Sequence, residues 1–404
     1  MNDTLRQLKK RRGWEKNSLI VAPAAIFLLL FVVLTACSAE TNTSESPGSN
    51  TPPAHLSAVA GNWATDWGKA TIDLAELISG GVIRDGIPSI DDPDHVSIEH
   101  AAEWLIYTEP VIVLDIEGDA WAYPLSILTR HEIVNDMVGG VPVAVTFCPL
   151  CNSALVFDRR VDGDTYEFGV SGLLRNSDLV MYDRTTESLW QQFTGEGIVG
   201  EHAGDVLTIM PSSIVSFADF AEAYPDGLVL STGGRTYGRN PYAYYDSGTG
   251  KPFLFFGEPD DRLPHMLRVV GMSVDDKAVA YPYDVLSRER VVNDTVAGRD
   301  IVIFFRYGTN SALDAPVIAE GKDIGAATVF VPSVDGERLT FFFDGESFRD
   351  EKTNSIWTLL GTAVDGPLSG TALSPLVHSD HFWFSWAAFY PDTEIYTGTD
   401  GIDR

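Results

Sequence analysis

The feature that most constrains the fold of this chain is a repeat within it. The 34 residues that begin at Ala122 align without a gap on those that begin at Ala280, 158 residues later, and fifteen of the 34 positions are identical. Further along, DRTTESLW from Asp183 matches DEKTNSIW from Asp350. Self-similarity at this distance indicates two units of one design. The sequence therefore predicts two similar lobes, residues 56–232 and 233–404, joined near the Gly-rich stretch STGGRTYGRNP.

Short apolar runs of strand type recur along the chain. Val-rich segments at 111–116 and 143–147 are typical of buried strands, and Gly139-Gly140 is typical of the turn between two paired strands. Pro124 and Pro282 stand where a first helical turn could begin, and residues 216–223 predict a short helix. We expect an α+β fold, mostly antiparallel β with short helices.

The N-terminus has the form of an export signal. Six basic residues precede an apolar run from Leu19 to Ala36, and this run ends in Leu34-Thr35-Ala36-Cys37. A Cys after Leu-x-Ala resembles the lipobox of bacterial lipoproteins, in which the Cys is acylated, for instance with palmitate. Residues 1–36 are therefore predicted to be a signal peptide and Cys37 a lipid anchor in the membrane of the cell envelope. An uncleaved membrane helix is the alternative, since the run has almost the length to span a bilayer.

The segment that follows the anchor is polar. Residues 37–55 are rich in Ser, Thr, Pro and Asn, which predicts a lipidated Cys on a disordered tether. Without its first 36 residues, which hold six basic and two acidic groups, the chain carries 22 basic and 55 acidic residues, a formal net charge of −33. Such a surface repels nucleic acid, so we expect no nucleic-acid partner. The composition identifies no protein partner.

The two copies of the repeat differ in residues that could carry chemistry. The first copy has His131, Cys148 and Cys151, and the second has Glu289, Arg306 and Thr309 at the matching positions. Each difference removes a soft or borderline metal ligand from the second copy. If one lobe is active, it is the N-terminal one, and the C-terminal lobe is a degenerate repeat without the site.

The local context of the Cys pair favours a metal site. Cys148-Pro-Leu-Cys151 lies between two predicted strands, VAVTF and SALVF, whereas a thioredoxin-type pair opens a helix. A turn of this kind resembles a metal knuckle, and Asn152 after the second Cys tolerates the left-handed conformation. Two thiolates and the imidazole of His131 would suit copper or zinc, and we expect copper before zinc because copper traffic is common outside the cytoplasm.

Three ligands do not complete a closed zinc site, so further groups are candidates. In a metalloenzyme version of the site, Glu132 or Asp183 could serve as a base. The possible additional site residues are Glu132, Asn152, Met181, Asp183 and Glu187. Asn176-Ser177-Asp178 could line a cleft, but hairpin turns of this composition are commoner.

Two other functions stay open at this point. In a thiol-disulfide oxidoreductase, Cys148 would attack and Cys151 would resolve. In a structural or ligand-binding module, the pair would be a disulfide that staples the turn. The catalytic residues of an enzyme, if the protein is one, are not identified by the sequence.

Three long strings resemble one known family. RHEIVND, TFCPLCNSALVFDRRVDG and FGVSGLLRNSDLVMYDRTTESLWQQ resemble the domain-of-unknown-function family 3179, which consists of secreted or lipid-anchored prokaryotic proteins. The resemblance runs from about Asp66 to the end of the chain and places the family's His, Cys and Cys on His131, Cys148 and Cys151. Arg130 and Asn152 stand where the family commonly has Trp and Gly. The resemblance implies an envelope location and a site at these residues, and it implies no particular reaction.

Overall fold

The computed structural model describes residues 50–246 and 251–398. The predicted signal peptide, Cys37 and most of the tether lie outside the described residues. Within them the protein is mostly antiparallel β with a few short helices, which confirms the predicted α+β class. No helix of the described part is both long enough and apolar enough to cross a membrane.

Each helix in residues 50–246 and 251–398 is short, and the longest of them have seven residues. The α-helices are Ser57–Ala60, Ile98–Ala101, Leu125–His131, Phe217–Ala223, Tyr283–Glu289 and Trp383–Phe389, and the 3-10 helices are Ala54–Leu56, Leu74–Glu76 and Ile318–Glu320. Pro124 and Pro282 are the N-cap residues of the two helices predicted after them. Ser216 caps the helix predicted at 216–223, because its side chain and that of Asp219 form a reciprocal capping box.

The N-terminal half contains three sheets of four or five strands. In sheet order they are Ile78–Ser79, Phe168–Arg175, Asp178–Asp183, Leu189–Gln191 and Gly197–Val199; then Ile209–Met210, Ser153–Asp158, Val141–Cys148 and Ile133–Val138; then Ser213–Ser216, Pro110–Ile116, Asp119–Pro124, Leu228–Leu230 and His95–Ser97. Arg160–Val161 and Asp164–Thr165 form a separate hairpin. One neighbouring pair, Leu228–Leu230 with Asp119–Pro124, is parallel.

The C-terminal half contains three sheets in a related order. They are Ser379–Phe382, Arg268–Val274, Lys277–Pro282 and Glu394–Ile395; then Val291–Val296, Arg299–Arg306, Ala326–Val331 and Ser374–Pro375; then Phe341–Phe343, Phe348–Asp350, Ile356–Trp357 and Ala363–Asp365. Ser333–Val334 and Glu337–Arg338 form its separate hairpin. Glu394–Ile395 pairs in parallel with Lys277–Pro282, as the corresponding strands do in the first half.

The two matching octapeptides make the same hydrogen bonds. Asp183 accepts bonds from the backbone and hydroxyl of Thr186 and from the indole of Trp190, and Asp350 accepts the equivalent bonds from Thr353 and Trp357. Both carboxylates are fully buried. A buried carboxylate needs such partners, so each octapeptide is a structural turn that fixes its hairpin.

The halves share parts of their cores. The buried cluster that surrounds the sheets beside the Cys pair includes Leu313, Phe382 and Phe384 from the second half. The backbone amide of Phe382 donates a 2.9 Å hydrogen bond to the carbonyl of Cys151. The second half therefore supplies one wall of the region in which the Cys pair lies. The lobe boundary near residue 232 stays a prediction.

Candidate metal centre

The Cys pair lies at a turn between two antiparallel strands, as the sequence predicts. Cys148 ends the strand Val141–Cys148 and pairs with Ser153, the first residue of the next strand. Asn152 takes the left-handed conformation, with φ 53°. This turn holds both thiols on one short loop, and both cysteines are free and buried, with 2% and 0% of their surface exposed.

A carboxylate completes a compact group with the two thiols. The sulfur atoms of Cys148 and Cys151 and a carboxylate oxygen of Asp178 all lie within 4.8 Å of one another. Asp178 is the first residue of the strand Asp178–Asp183, after a turn in which Asn176 and Ser177 have φ of 53° and 68°. The hairpin-turn interpretation of Asn176-Ser177 is thus confirmed, and the turn delivers the third residue of the string into the interior.

Asp178 has one oxygen with N–H partners and one without. Its Oδ2 accepts hydrogen bonds from the amide side chain of Gln191, at 2.7 Å, and from the backbone of Phe193, at 3.0 Å. Its Oδ1 is buried and has no N–H or O–H partner among the described residues. Burial raises the pKa of this carboxyl from 3.8 to about 7, and hydrogen bonds from Gln191 and from the two thiols oppose the rise. An oriented, desolvated carboxylate oxygen beside two sulfurs is a ready ligand for a cation.

The thiols resist ionisation in the absence of a cation. Burial raises the pKa of Cys148 and raises that of Cys151 further, and the negative charge of Asp178 adds to both effects. Thiolates are the forms that bind metals and attack disulfides. At neutral pH the pair is therefore protonated, and a bound cation would replace its protons.

Glu132 is a second buried carboxyl near the group. It caps the helix Leu125–His131 with a left-handed φ of 57°, and the hydroxyl of Tyr242 donates a 3.3 Å bond to its Oε1. Burial raises the pKa of Glu132 from 4.5 to about 8, and the charge of Asp178 also raises it. The electrostatic influence of Glu132 reaches Cys148. Of the two bases predicted from the sequence, Glu132 is the one next to the Cys strand, since its carbonyl accepts a 2.8 Å hydrogen bond from the backbone amide of Phe147.

His131 lies outside the group formed by the two thiols and Asp178. Its Nδ1 donates a 2.7 Å hydrogen bond to the carbonyl of Pro88, and its Nε2 lies 3.2 Å from the hydroxyl of Tyr237. Both ring nitrogens are thus engaged elsewhere. Burial lowers the pKa of His131, so the ring is neutral at pH 7.

The other candidate residues have separate positions. Met181 is in the hydrophobic core and pairs with Trp190 on the neighbouring strand. Asp183 serves the turn described above. Glu187 accepts a bond from the backbone of Ala64 and forms a 2.7 Å ion pair with Arg84. Among the possible additional residues, Asn152 follows Cys151 directly in the chain. The carbonyl of Glu132 accepts a hydrogen bond from Phe147, the residue before Cys148.

The sequence interpretation did not include Asp178 among the ligands, although one signal was available. The residue opens an apolar strand, DLVMYD, whose every member is buried. A charged side chain at a fully buried strand position needs a partner or a function. Asp178 therefore needs a binding partner, whereas the polar turn residues Asn176 and Ser177 that precede it do not.

The fold and the group define a class: a mostly antiparallel α+β protein with one buried cluster of two thiols and a carboxyl among its described residues. The chain belongs to the family described as protein of unknown function (DUF3179), whose model matches residues 84–393. This match confirms the resemblance found in the sequence. No curated protein and no solved structure matches the chain.

Proposed function

We propose that this protein binds one transition-metal ion through Cys148, Cys151 and Asp178, with zinc preferred over copper. The observation that carries the proposal is the meeting of three buried ligand atoms within 4.8 Å, one of them on a carboxyl whose Oδ1 has no other partner among the described residues. Leaving such a group buried costs free energy unless something binds it. A cation shared by all three side chains would remove that cost.

The donor set favours zinc. Thiolates suit both Cu⁺ and Zn²⁺, but a carboxylate oxygen is a harder ligand that Zn²⁺ accepts more readily than Cu⁺ does. Three protein ligands leave a fourth position for water or an external donor. The site therefore has the donors of a binding or catalytic centre more than those of a closed structural one.

A thiol-disulfide oxidoreductase is the second candidate, and the observation that favours it is the proximity of two free thiols. Burial and the raised thiol pKa values argue against it, because exchange requires an accessible thiolate. A stapling disulfide is the third candidate, although the two cysteines are free in this structure.

The cellular setting is part of the same proposal. The basic and apolar N-terminus with its Leu-x-Ala-Cys motif supports an exported lipoprotein, anchored through Cys37 outside the cytoplasm. We also propose that the two halves arose by duplication, since they share sequence at fixed spacing and the paired Asp183 and Asp350 turns. In the second half, Arg306, Thr309 and Gly345 stand at the positions that match Cys148, Cys151 and Asp178.

The test is metal analysis of the full-length protein, purified in detergent from its own membranes without metal affinity resins. Inductively coupled plasma mass spectrometry should find about one zinc per chain, and a thiol titration should find no disulfide. Cys148→Ser and Asp178→Asn should each lose most of this zinc. The Asp178 variant is the sharper of the two, since it leaves both thiols in place.

The matched control is Thr309→Ser, which changes the position that corresponds to Cys151 in the second half. It should keep the full zinc content. A wild-type protein that holds no metal while Cys148 and Cys151 form a disulfide would reject the metal proposal and favour the redox or staple alternatives. Stoichiometric copper would keep the site and reject the preference for zinc.

A further inference from the structure

The segment that joins the two halves lies against the Cys pair. Residues 237–246, named the tyrosine strap, contain no helix or strand. Three of its tyrosines point their hydroxyls at the first half: Tyr237 at His131, Tyr242 at Glu132, and Tyr245 at the carbonyl of Leu150 inside the Cys turn. The strap therefore touches both the helix end and the loop that hold the site.

The strap also lies near the sulfurs themselves. The rings of Tyr242 and Tyr245 pack against the buried cluster that contains Cys148 and Cys151. Tyr242 and Tyr245 are half-buried, whereas Tyr244 between them is 61% exposed. Different residues of the strap thus face the site and the solvent.

The opposite side of the strap is fixed to the second half. Asn240 donates its side-chain amide to the carbonyls of Ala312 and Ala315, at 2.7 and 3.0 Å. The backbone amide of Tyr244 donates to the carbonyl of Asp314, at 2.7 Å. The loop 311–316, which receives these bonds, follows the turn that corresponds to the Cys turn of the first half.

The strongest attachment is a buried ion pair at the end of the strap. The carboxylate of Asp246 is fully buried and lies 2.6 Å from the guanidinium of Arg268. It accepts a 2.6 Å hydrogen bond from Ser311 and lies 3.3 Å from the ammonium of Lys322. Removing a partner from a buried pair is costly, so this contact holds the strap firmly.

We propose that the second half acts as a holder: through Asn240 and Asp246 it keeps Tyr242 and Tyr245 in position over the Cys turn and so controls access to the site. These residues position the site and are not ligands. The biological meaning, slow exchange of a bound metal, rests on the proposed function. The positioning itself concerns the thiols and can be measured without a metal.

The experiment is the rate at which a maleimide alkylates Cys148 and Cys151 in the metal-free, reduced, full-length protein, followed by peptide mass spectrometry at each cysteine. In Tyr242→Phe/Tyr245→Phe, which loses two hydroxyl contacts and keeps both rings, alkylation should be about tenfold faster, as expected when local opening becomes easier. Asp246→Asn should accelerate it by a similar factor.

Two variants serve as controls. Tyr244→Phe changes the exposed neighbour and should react at the wild-type rate. Tyr281→Phe removes a buried hydroxyl that donates to Asp294 within the second half. This variant loses the same kind of hydrogen bond, but at a position outside the strap. It should lower the melting temperature without accelerating alkylation, which separates strap release from general loosening.

The outcomes test the strap proposal and the metal proposal independently of each other. Wild-type alkylation rates in Tyr242→Phe/Tyr245→Phe would overturn the strap proposal, and so would equal acceleration in Tyr281→Phe. If the wild-type protein holds zinc, transfer of that zinc to a chromogenic chelator should accelerate in the same variants and by a similar factor. If the wild-type protein holds no zinc but the variants still differ in alkylation rate as predicted, the metal function is refuted and the strap proposal is supported.

Discussion

The helix ends and strand ends that match between the two halves have the same backbone conformation and differ in charge. At the end of the matching helices, Glu132 and Arg290 both take a left-handed conformation, with φ of 57° and 66°. The second strand after each of these helices ends at Cys148 in the first half and at Arg306 in the second. The first half thus has an acid and a thiol at these positions, and the second half has two arginines.

The basic residues of the second turn have structural roles. Arg306 forms ion pairs with Asp219 and Glu222, on a helix of the first half, and so links the halves. Arg290 donates a 3.0 Å bond to the carbonyl of Phe305 and lies over the ring of Phe343, 4.6 Å from its centre. The backbone arrangement is therefore independent of the site, since a few side chains decide whether the turn can attract a cation.

Replacing the two cysteines by the residues at the matching positions of the second half should have the greatest effect on zinc binding and stability. Cys148→Arg with Cys151→Thr should abolish zinc binding and lower the free energy of unfolding by about 3 kcal/mol, because a guanidinium group must fit a tightly packed, desolvated position. Zinc content and urea unfolding measure the two effects. Retention of zinc would show that the ligands lie elsewhere.

The reciprocal variant sharpens this test. Arg306→Cys with Thr309→Cys recreates the pair in the second half, but Gly345 stands five residues before Asp350, where Asp178 precedes Asp183. We expect no second zinc. A second equivalent of zinc would show that the turn binds the metal without a carboxylate.

The shared turns should respond equally to the loss of their carboxylates. Asp183→Ala and Asp350→Ala each leave several buried donors without an acceptor, so each should lower the free energy of unfolding by about 2–3 kcal/mol. Urea unfolding measures both, and Asp350→Ala should keep its zinc. A much smaller effect in one half would mean that the two turns are not equivalent in the folded protein.

Two buried carboxyls of the first half should contribute to the pH dependence of stability, beside Asp380 of the second half, whose pKa burial also raises from 3.8 to about 7. Burial raises the pKa of Glu132 from 4.5 to about 8 and that of Asp178 from 3.8 to about 7, so the folded state retains protons that the unfolded chain releases. These two carboxyls should therefore reduce the stability of the metal-free protein as the pH rises from about 5 to 8.

Glu132→Gln should reduce this loss by roughly 2 kcal/mol, since the amide cannot ionise. Urea midpoints at pH 5 and pH 8, in the presence of a chelator, give the comparison. Arg290→Gln is the matched variant of the second half and should leave the pH dependence unchanged. An unaltered slope in Glu132→Gln would mean that Glu132 is ionised in the folded protein.

The smallest effect is expected at His131. His131→Gln should keep the zinc content and lower the free energy of unfolding by about 1 kcal/mol, because it loses the bond to Pro88. Metal analysis and urea unfolding measure both quantities. Loss of zinc in this variant alone, with an unchanged fold, would restore the imidazole as a ligand.

The sequence predicts the local parts of this structure well. The fold class, the Gly139-Gly140 turn, the helices after Pro124 and Pro282 and the left-handed Asn152 all depend on a few neighbouring residues. Turn chemistry and alternation are local rules, so a single chain suffices to apply them.

The ligand set depends on contacts that local rules do not reach. Asp178 meets the Cys pair because two different sheets pack together, and no spacing in the chain encodes that approach. His131 and Glu132 are adjacent, but the reversal of the backbone at Glu132 separates the directions of their side chains. The strap is equally hidden, since its partners lie on both sides of it in the sequence.

The bond from the amide of Phe382 to the carbonyl of Cys151 has a consequence for the order of assembly. The first half, with its cysteines, is synthesised early, yet this support comes from a strand that lies close to the C-terminus. The surroundings of the cysteines are therefore complete only after nearly the whole polypeptide has been made. A chain that is cut short or clipped in its last strands would present these two thiols without their wall.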